Sequence, residues 1–486
     1  MPSGLPIVKP PGSPATVLRS PQNIPMHYLR IARCAGVIVF PFVQGTLSAQ
    51  IIATGSVHSI MVCSDGSVQN WGMNHHGQLG IDTTGDVNPL PVSPIGLSDV
   101  HAVTAGVWSS LFLKTDGSVL GSGWNGSGEL GDGTFTAHHV PSPVAISDVR
   151  AIRAGSQHAL ALKNDSTLWA WGYNSNGQLG NGTSINSGIP VPVSGLSNVV
   201  ALSAGYRHSL AARSDGTVWA WGLNDHGQLG EGSTTDSPTP VQVQGLTGIV
   251  AVEASSHSSY AVKEDGTLWV WGSNTLGQLG DGSIIDQPLA VQLAGLSGIT
   301  AISSTAAHVI ALDENGSVWL WGNNNYGQLG DGTTTSSYSP AQLSVLSGIT
   351  AVAAGAFHCL ALQDDGTLWA WGYNVNGQLG DGTTDQSEVP IMAAGVCDVS
   401  TQLTQLSAEA SLSVFPDPTS GQVTIETSWA SRPARVRIRN AMGQEVLHST
   451  LHQTRSVLDL SSQPSGVYFL TIHMEGQVME KKLIKE

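Results

Sequence analysis

The chain has 486 residues, too many for one average domain, and Gly (58) and Trp (14) are abundant while charged residues make up only 11%. Such a composition suits an all-β chain of many short strands and tight turns, built as one large repetitive unit. The formal charge is -16, and between Gln50 and Ala410 there are 28 Asp/Glu against 7 Lys/Arg, a local net of -21. A nucleic-acid partner needs clustered Lys/Arg to neutralise phosphates, so none is expected, whereas acidity suits solubility outside the cell.

Residues 1–25 are Pro-rich and lack a hydrophobic pattern, so they read as a disordered or non-native extension, with Met26 as the candidate start. Residues 26–49 have the three parts of a signal peptide. A basic stretch runs through Arg30 and Arg33, an apolar run covers Cys34 to Val43, and the small residues Ser48 and Ala49 offer a cleavage site before Gln50. The apolar run is too short to anchor, so no membrane span is expected once the leader is removed.

From residue 50 to about 400 the chain repeats. Gly-Gln-Leu-Gly recurs at 77–80, 177–180, 227–230, 277–280, 327–330 and 377–380, with Gly128-Glu-Leu-Gly131 as a seventh, a period near 50. The unit that begins at Ile349 holds three apolar strand runs separated by turn dipeptides, of which Asp365-Gly366 signals a tight hairpin. Each unit reads as a small antiparallel sheet that cannot bury both faces alone. The first and last units are as regular as the middle ones and carry no capping features, so a closed seven-bladed propeller is predicted rather than an open solenoid.

The recurrent residues have structural explanations. The two indoles of Trp-x-Trp-Gly (169–172, 219–222, 269–272, 319–322, 369–372) point to one strand face and are expected to fill blade interfaces. Asn74, Asn125, Asn174, Asn224, Asn274, Asn324 and Asn374 recur at one position, as a turn-forming side chain that satisfies backbone groups. His58, His158, His208, His308 and His358 share another position, taken by Ser109 and Ser258 elsewhere. Spread around a ring they do not converge on one ion, and a hydrogen-bonding role is expected. The Asp-Gly-Thr loops lack a calcium-binding spacing, there is no GxSxG or Walker element, and no metal, cofactor or catalytic residue is expected. With Cys34 in the leader, Cys63, Cys359 and Cys397 are expected to be small buried apolar side chains.

Together the elements Ala-Gly-x-x-His, Asp-Gly-Thr-Leu-Trp-Ala-Trp-Gly-x-Asn-x-x-Gly-Gln-Leu-Gly and Asp-Gly-Thr resemble the repeat of the regulator of chromosome condensation (RCC1) family over residues 51 to about 397. The resemblance implies a seven-bladed ring whose repeats are offset from its blades, so that the N-terminal and C-terminal strands share one blade. The family's guanine-nucleotide exchange activity uses a wedge inserted in a blade, and the even spacing of Gly-Gln-Leu-Gly leaves no room for one.

Two windows vary against this uniform framework: the pair before the shared His, and the residues beside the fixed Asn. Trp108, Trp124, Tyr173, Tyr206, Arg207, Tyr326, Phe357 and Tyr373 stand in them, and aromatics and Arg are the residue types that dominate interfaces. They form the candidate binding face.

Residues 401–410 are polar, without Gly or Trp, and read as a linker. From 411 to 486 the pattern changes to alternating apolar and polar residues, as in Val467-Tyr-Phe-Leu-Thr-Ile472, the signature of a small β-sandwich. Val414-Phe-Pro-Asp417-Pro-Thr-Ser-Gly421, Pro464-Ser-Gly-Val-Tyr-Phe469 and Lys481-Lys-Leu-Ile-Lys485 resemble the type IX secretion sorting domain of Bacteroidetes, with Asp417 in place of the family's usual Asn. That resemblance implies export across the outer membrane, with the type IX machinery as a partner, and a mature protein on the surface or released. The predicted function is a secreted or cell-surface module that binds an extracellular protein or a glycan, and not an enzyme. The alternatives are a nucleotide-exchange regulator and a polysaccharide hydrolase.

Overall fold

The unit at Ile349 shows how these residues make a blade. Strands Ile349–Ala354 and His358–Gln363 pair antiparallel with Ala353 opposite Leu360, and Leu368–Gly372 adds to the second with Ala361 opposite Trp369. The turn between the last two is closed by Gly366 N donating to Gln363 O (3.0 Å), and the Asp365 carboxylate accepts from Thr367 N (2.9 Å). Along the second strand, Leu360 and Leu362 enter one core cluster while Cys359 and Ala361 enter another. Both faces are buried, so the strand is an unbroken apolar run instead of an alternating one.

The computed structural model describes residues 50–85, 87–397, 412–415, 419–427, 434–440, 445–451, 455–474 and 477–485. The extension at 1–25, the leader at 26–49, the linker at 401–410 and Asp417 fall outside the described residues. Within them are seven four-stranded antiparallel sheets, each from consecutive strands: blade 1 (52–92), blade 2 (100–143), blade 3 (149–192), blade 4 (199–242), blade 5 (249–292), blade 6 (299–342) and blade 7 (349–392).

A fourth, outer strand was not among the three apolar runs predicted for a unit. In blade 7 it is Ser387–Met392, and its counterparts all hold proline, from Pro89 to Pro390. Proline demotes a run as a strand in a sequence reading, yet at a sheet edge it is tolerated and blocks further pairing.

Blade 1 and blade 7 are each complete, so no strand is shared between the two chain ends and the expected offset of repeats from blades does not occur. The ring closes by the same kinds of contact that join neighbouring blades elsewhere. Trp71 Nε1 donates to Gln378 O (2.9 Å), as Trp221 does to Gln178 O (2.8 Å) and Trp271 to Gln228 O (2.9 Å). Gly382 N donates to Pro89 O (2.9 Å) as Gly182 N does to Pro238 O (3.0 Å). Ile52, Met61 and Trp71 of blade 1 share a core with Leu360, Leu362 and Leu368 of blade 7.

A disulfide between Cys63 and Cys397 adds a covalent tie across the closure. This corrects the expectation of three buried apolar cysteines; of the three, Cys359 alone is free and buried. The pair escaped notice because 334 residues separate its members, and only ring closure makes them neighbours. Cys397 N also donates to Gln69 Oε1 (2.7 Å), and Gln69 Nε2 donates to Gly395 O (3.3 Å).

The shared histidines are interblade ties. His158 Nε2 meets Ser209 Oγ of the next blade (2.9 Å), and that hydroxyl in turn donates to Gln178 O (2.9 Å). Because the serine proton is committed to the carbonyl, the imidazole must donate from Nε2. His208 with Ser259, His58 with Ser110 and His358 with Ser59 repeat this arrangement, and His308 meets Cys359. Burial holds all five well below the ordinary imidazole value, His158 down to about 3. The recurrent Asn closes the loop after the third strand: Asn174 Oδ1 accepts from Leu179 N (2.9 Å) and its Nδ2 donates to Thr183 O (3.0 Å). The second indole of each Trp-x-Trp pair is fully buried, whereas the first is half-buried toward the hairpin end.

The C-terminal segment forms a three-stranded sheet (Leu412–Phe415, Gln422–Thr427, Arg455–Asp459) and a four-stranded sheet ordered Glu445–Leu451, Ala434–Asn440, Gly466–Met474, Gln477–Lys485. Val423, Ile425 and Leu458 from the first pack with Val436, Ile438, Tyr468 and Leu470 from the second, the predicted sandwich core.

Candidate binding face

The two variable windows lie at the same end of each blade, because the backbone joins them. The residue before the fixed Asn donates its N–H to the carbonyl of the residue before the shared His: Trp124 to Trp108, Tyr173 to Gln157, Leu223 to Arg207 and Tyr373 to Phe357, each at 2.8 Å. The Gly that ends the third strand makes this approach possible. Gly123 sits at φ +105°, and a Cβ there would lie 2.2 Å from Trp108 O. Seven pairs of windows therefore ring one face of the disc, and the Asp-Gly hairpins ring the other.

Acidic residues stand at both ends of the blades, with Asp236, Asp281 and Asp286 in the loops that follow the windows. Every hairpin at the opposite end carries at least one acidic residue from Asp65 round to Asp365, and the ion pairs Lys114–Asp99, Lys163–Asp148, Arg213–Asp215 and Lys263–Asp265 (3.4–4.0 Å) all lie there. In the two windows of all seven units, the charged residues are Arg207 and Asp225 alone.

On this face the structure gathers the eight candidates into three interblade groups. Between blades 1 and 2, Trp108 and Trp124 stand 6.2 Å apart, and both are 5.0 Å from His76. Between blades 6 and 7, Tyr326 lies 5.1 Å from Phe357 and 4.9 Å from Tyr373, whose hydroxyl is raised above its ordinary range by burial first and by Tyr326 second. Across blades 3 to 5, the Arg207 guanidinium sits 5.1 Å from the Tyr173 ring and 4.9 Å from the Tyr206 ring, while Tyr206 contacts His257 (5.5 Å) and His257 contacts His226 (5.3 Å).

Seven of the eight candidates are half-buried; Tyr206 is only 9% exposed and supports Arg207 from beneath. Sequence reasoning missed His76, His226 and His257, although each occupies one of the same windows. Interleaving within a group comes from two or three adjacent units, which one repeat read alone does not reveal. Burial, above all, lowers His257 to about 4, and burial also lowers His76. Among the described residues, no group of three or more His, Cys, Asp or Glu side chains is placed to hold a metal.

Comparison with known proteins agrees with the fold. A family model described as the RCC1-like domain matches residues 183–415, and models of the RCC1 repeat match 65–113, 116–162 and 149–178. A model described as the secretion system C-terminal sorting domain matches 413–486. The ultraviolet-B receptor UVR8 of Arabidopsis thaliana is 36% identical over 18% of this chain and 21% of its own length. The RCC1 domain-containing protein 1 of Mus musculus is 36% identical over 22% of this chain and 30% of its own. The matched segments thus span less than a third of these relatives. Among solved structures, yeast RCC1 (Prp20), determined bound to Kap60, superposes with a TM-score of 0.61 at 19% identity, covering 82% of this chain and 93% of that one. Human WBSCR16 gives 0.58 at 22% identity, covering 74% and 94%.

Seven four-stranded blades closed into a ring define a β-propeller. The chain belongs to the RCC1-like propellers and carries a type IX secretion sorting domain, which marks it for export to the cell surface or beyond.

Proposed function

We propose that the propeller is a protein-binding module, not an enzyme, which acts outside the cell and engages its partner through the aromatic face. The observation that carries this reading is the gathering of Trp, Tyr, Phe and Arg side chains into three interblade groups on one face of the ring. A protein partner fits better than a glycan. The rings meet one another at interplanar angles of 45–78°, so each group presents a mixture of ring edges and faces instead of one flat platform for a sugar to stack on. After export, the sorting domain is removed and the propeller remains on the surface or is released.

The test compares full-length protein with a Trp108→Ala, Trp124→Ala, Tyr326→Ala triple variant as baits for extracellular and host proteins, alongside a glycan panel scored for binding and hydrolysis. Proteins retained by the native chain and lost by the variant are expected. Equal recovery by both baits counts against the face, and release of sugar products would make the protein a hydrolase.

A further inference from the structure

The propeller segment contains seven cationic side chains: Lys114, Arg150, Arg153, Lys163, Arg207, Arg213 and Lys263. Four are ion-paired on the hairpin face. Arg150 donates to Ser166 Oγ and Val199 O, and Arg153 is buried near the axis, where it donates to Ile152 O and feels the charge of Glu253. Arg207 differs from all of these. Among the described residues it has no carboxylate within ion-pair distance and no hydrogen-bond acceptor, and its Nε is buried without a partner.

A guanidinium left unpaired in so acidic a chain is a costly arrangement unless something else completes it. Two tyrosine rings hold it in place, which fixes the fork without using its donors. The nearby carboxylates are already engaged elsewhere: Asp286 is bound by His226 Nδ1 (2.6 Å) and Asn274 N (2.7 Å), and Asp225 accepts from Gln228 Nε2 (3.0 Å). Beside the guanidinium, the His257 and His226 imidazoles add polar edges.

We infer that the Tyr173, Tyr206, Arg207, His257 group is a carboxylate-binding site, which takes one Asp or Glu side chain of the partner protein. The inference rests on the protein-binding reading. A propeller segment with a net of -21 repels a polyanion, so the site suits a single carboxylate on an otherwise weakly charged surface, held by two parallel N–H donors from a pre-ordered fork.

Two measurements on the full chain separate the site from the identity of its carrier. In the first, acetate is titrated against protein labelled at its histidine rings. The His257 and His226 signals are expected to move in the native protein and to stay in place in Arg207→Gln; no response in the native protein, or an equal one in the variant, overturns the site. In the second, two libraries of acetylated, amidated dodecapeptides differ at one fixed position, Asp in one and Asn in the other. Native protein is expected to recover roughly tenfold more from the Asp library, as befits a desolvated charge-assisted pair. Arg207→Gln is expected to abolish that preference and Arg207→Lys to keep part of it. Equal recovery from the two libraries overturns the assignment to a protein side chain. An Arg207-dependent acetate response combined with binding only to glucuronate-containing oligosaccharides keeps the anion site and removes the protein-binding reading.

Discussion

Cys63 and Cys397 are bonded across 334 residues of chain, joining the turn between the second and third strands of blade 1 to the segment that leaves blade 7. Since no strand is exchanged between the two ends, this bond is the covalent lock on a ring otherwise closed by hydrogen bonds and packing. Its position also bears on processing, because Cys397 precedes the predicted linker. Removal of the C-terminal sandwich therefore leaves the lock in the propeller.

Replacing both cysteines by serine, or reducing the native protein, is expected to lower stability by about 3–5 kcal/mol, the scale for a bond that closes a long loop. Denaturant unfolding with and without reductant measures it. An unchanged midpoint would show that packing between blades 1 and 7 closes the ring unaided.

Glu129 replaces the Gln found at this position in the other six units, and it is buried. Desolvation raises its carboxyl from 4.5 to about 7, so the unfolded chain loses the proton first and ionisation in the fold costs stability as pH rises from 4.5 to 7, with the full cost above. Glu129→Gln is therefore expected to stabilise by up to about 3 kcal/mol at pH 8 and by little at pH 4.5. An equal gain at both values would mean that the carboxyl does not titrate in this range.

The five interblade histidines act in the opposite direction. Burial holds His58, His158, His208 and His358 at about 3 and His308 at about 4, below the ordinary 6.5. Their stabilising contribution is intact above pH 6.5 and falls as the pH drops, because the unfolded chain takes up protons that the fold refuses. Each is expected to contribute about 1.4 kcal/mol of loss per pH unit between 6.5 and its folded value. Unfolding free energy followed from pH 7 to 4.5 gives the slope, and His158→Ser, with the residue that blades 2 and 5 use, should reduce the proton uptake by one. A slope unaffected by that substitution would contradict the assignment.

Gly123→Ala should destabilise blade 2 and distort the Trp108–Trp124 group together. The substitution combines a left-handed φ with a clash against Trp108 O, at a cost of roughly 2–4 kcal/mol. Tryptophan fluorescence and thermal unfolding report the two effects, and a native-like spectrum with native stability would exclude the steric account.

The blade was legible from the chain because its causes are local. Asp365-Gly366 makes its hairpin from neighbouring residues, Asn174 closes a loop within nine positions, and the apolar runs declare strands buried on both sides. Repetition multiplied those signals seven times, and the count with its regular ends pointed to a ring. The outer strands were hidden, since Pro390 and its counterparts look like breaks until an edge is known to exist.

What tertiary structure alone decided is everything that acts between units. His158 meets Ser209 at 51 residues' distance, Arg207 settles between Tyr173 and Tyr206, and Cys63 finds Cys397 only once the circle closes. Such pairings depend on how one sheet stacks on the next. Whether an imidazole stays neutral or a guanidinium stays unpaired depends on surroundings assembled from several blades, which no single repeat encodes.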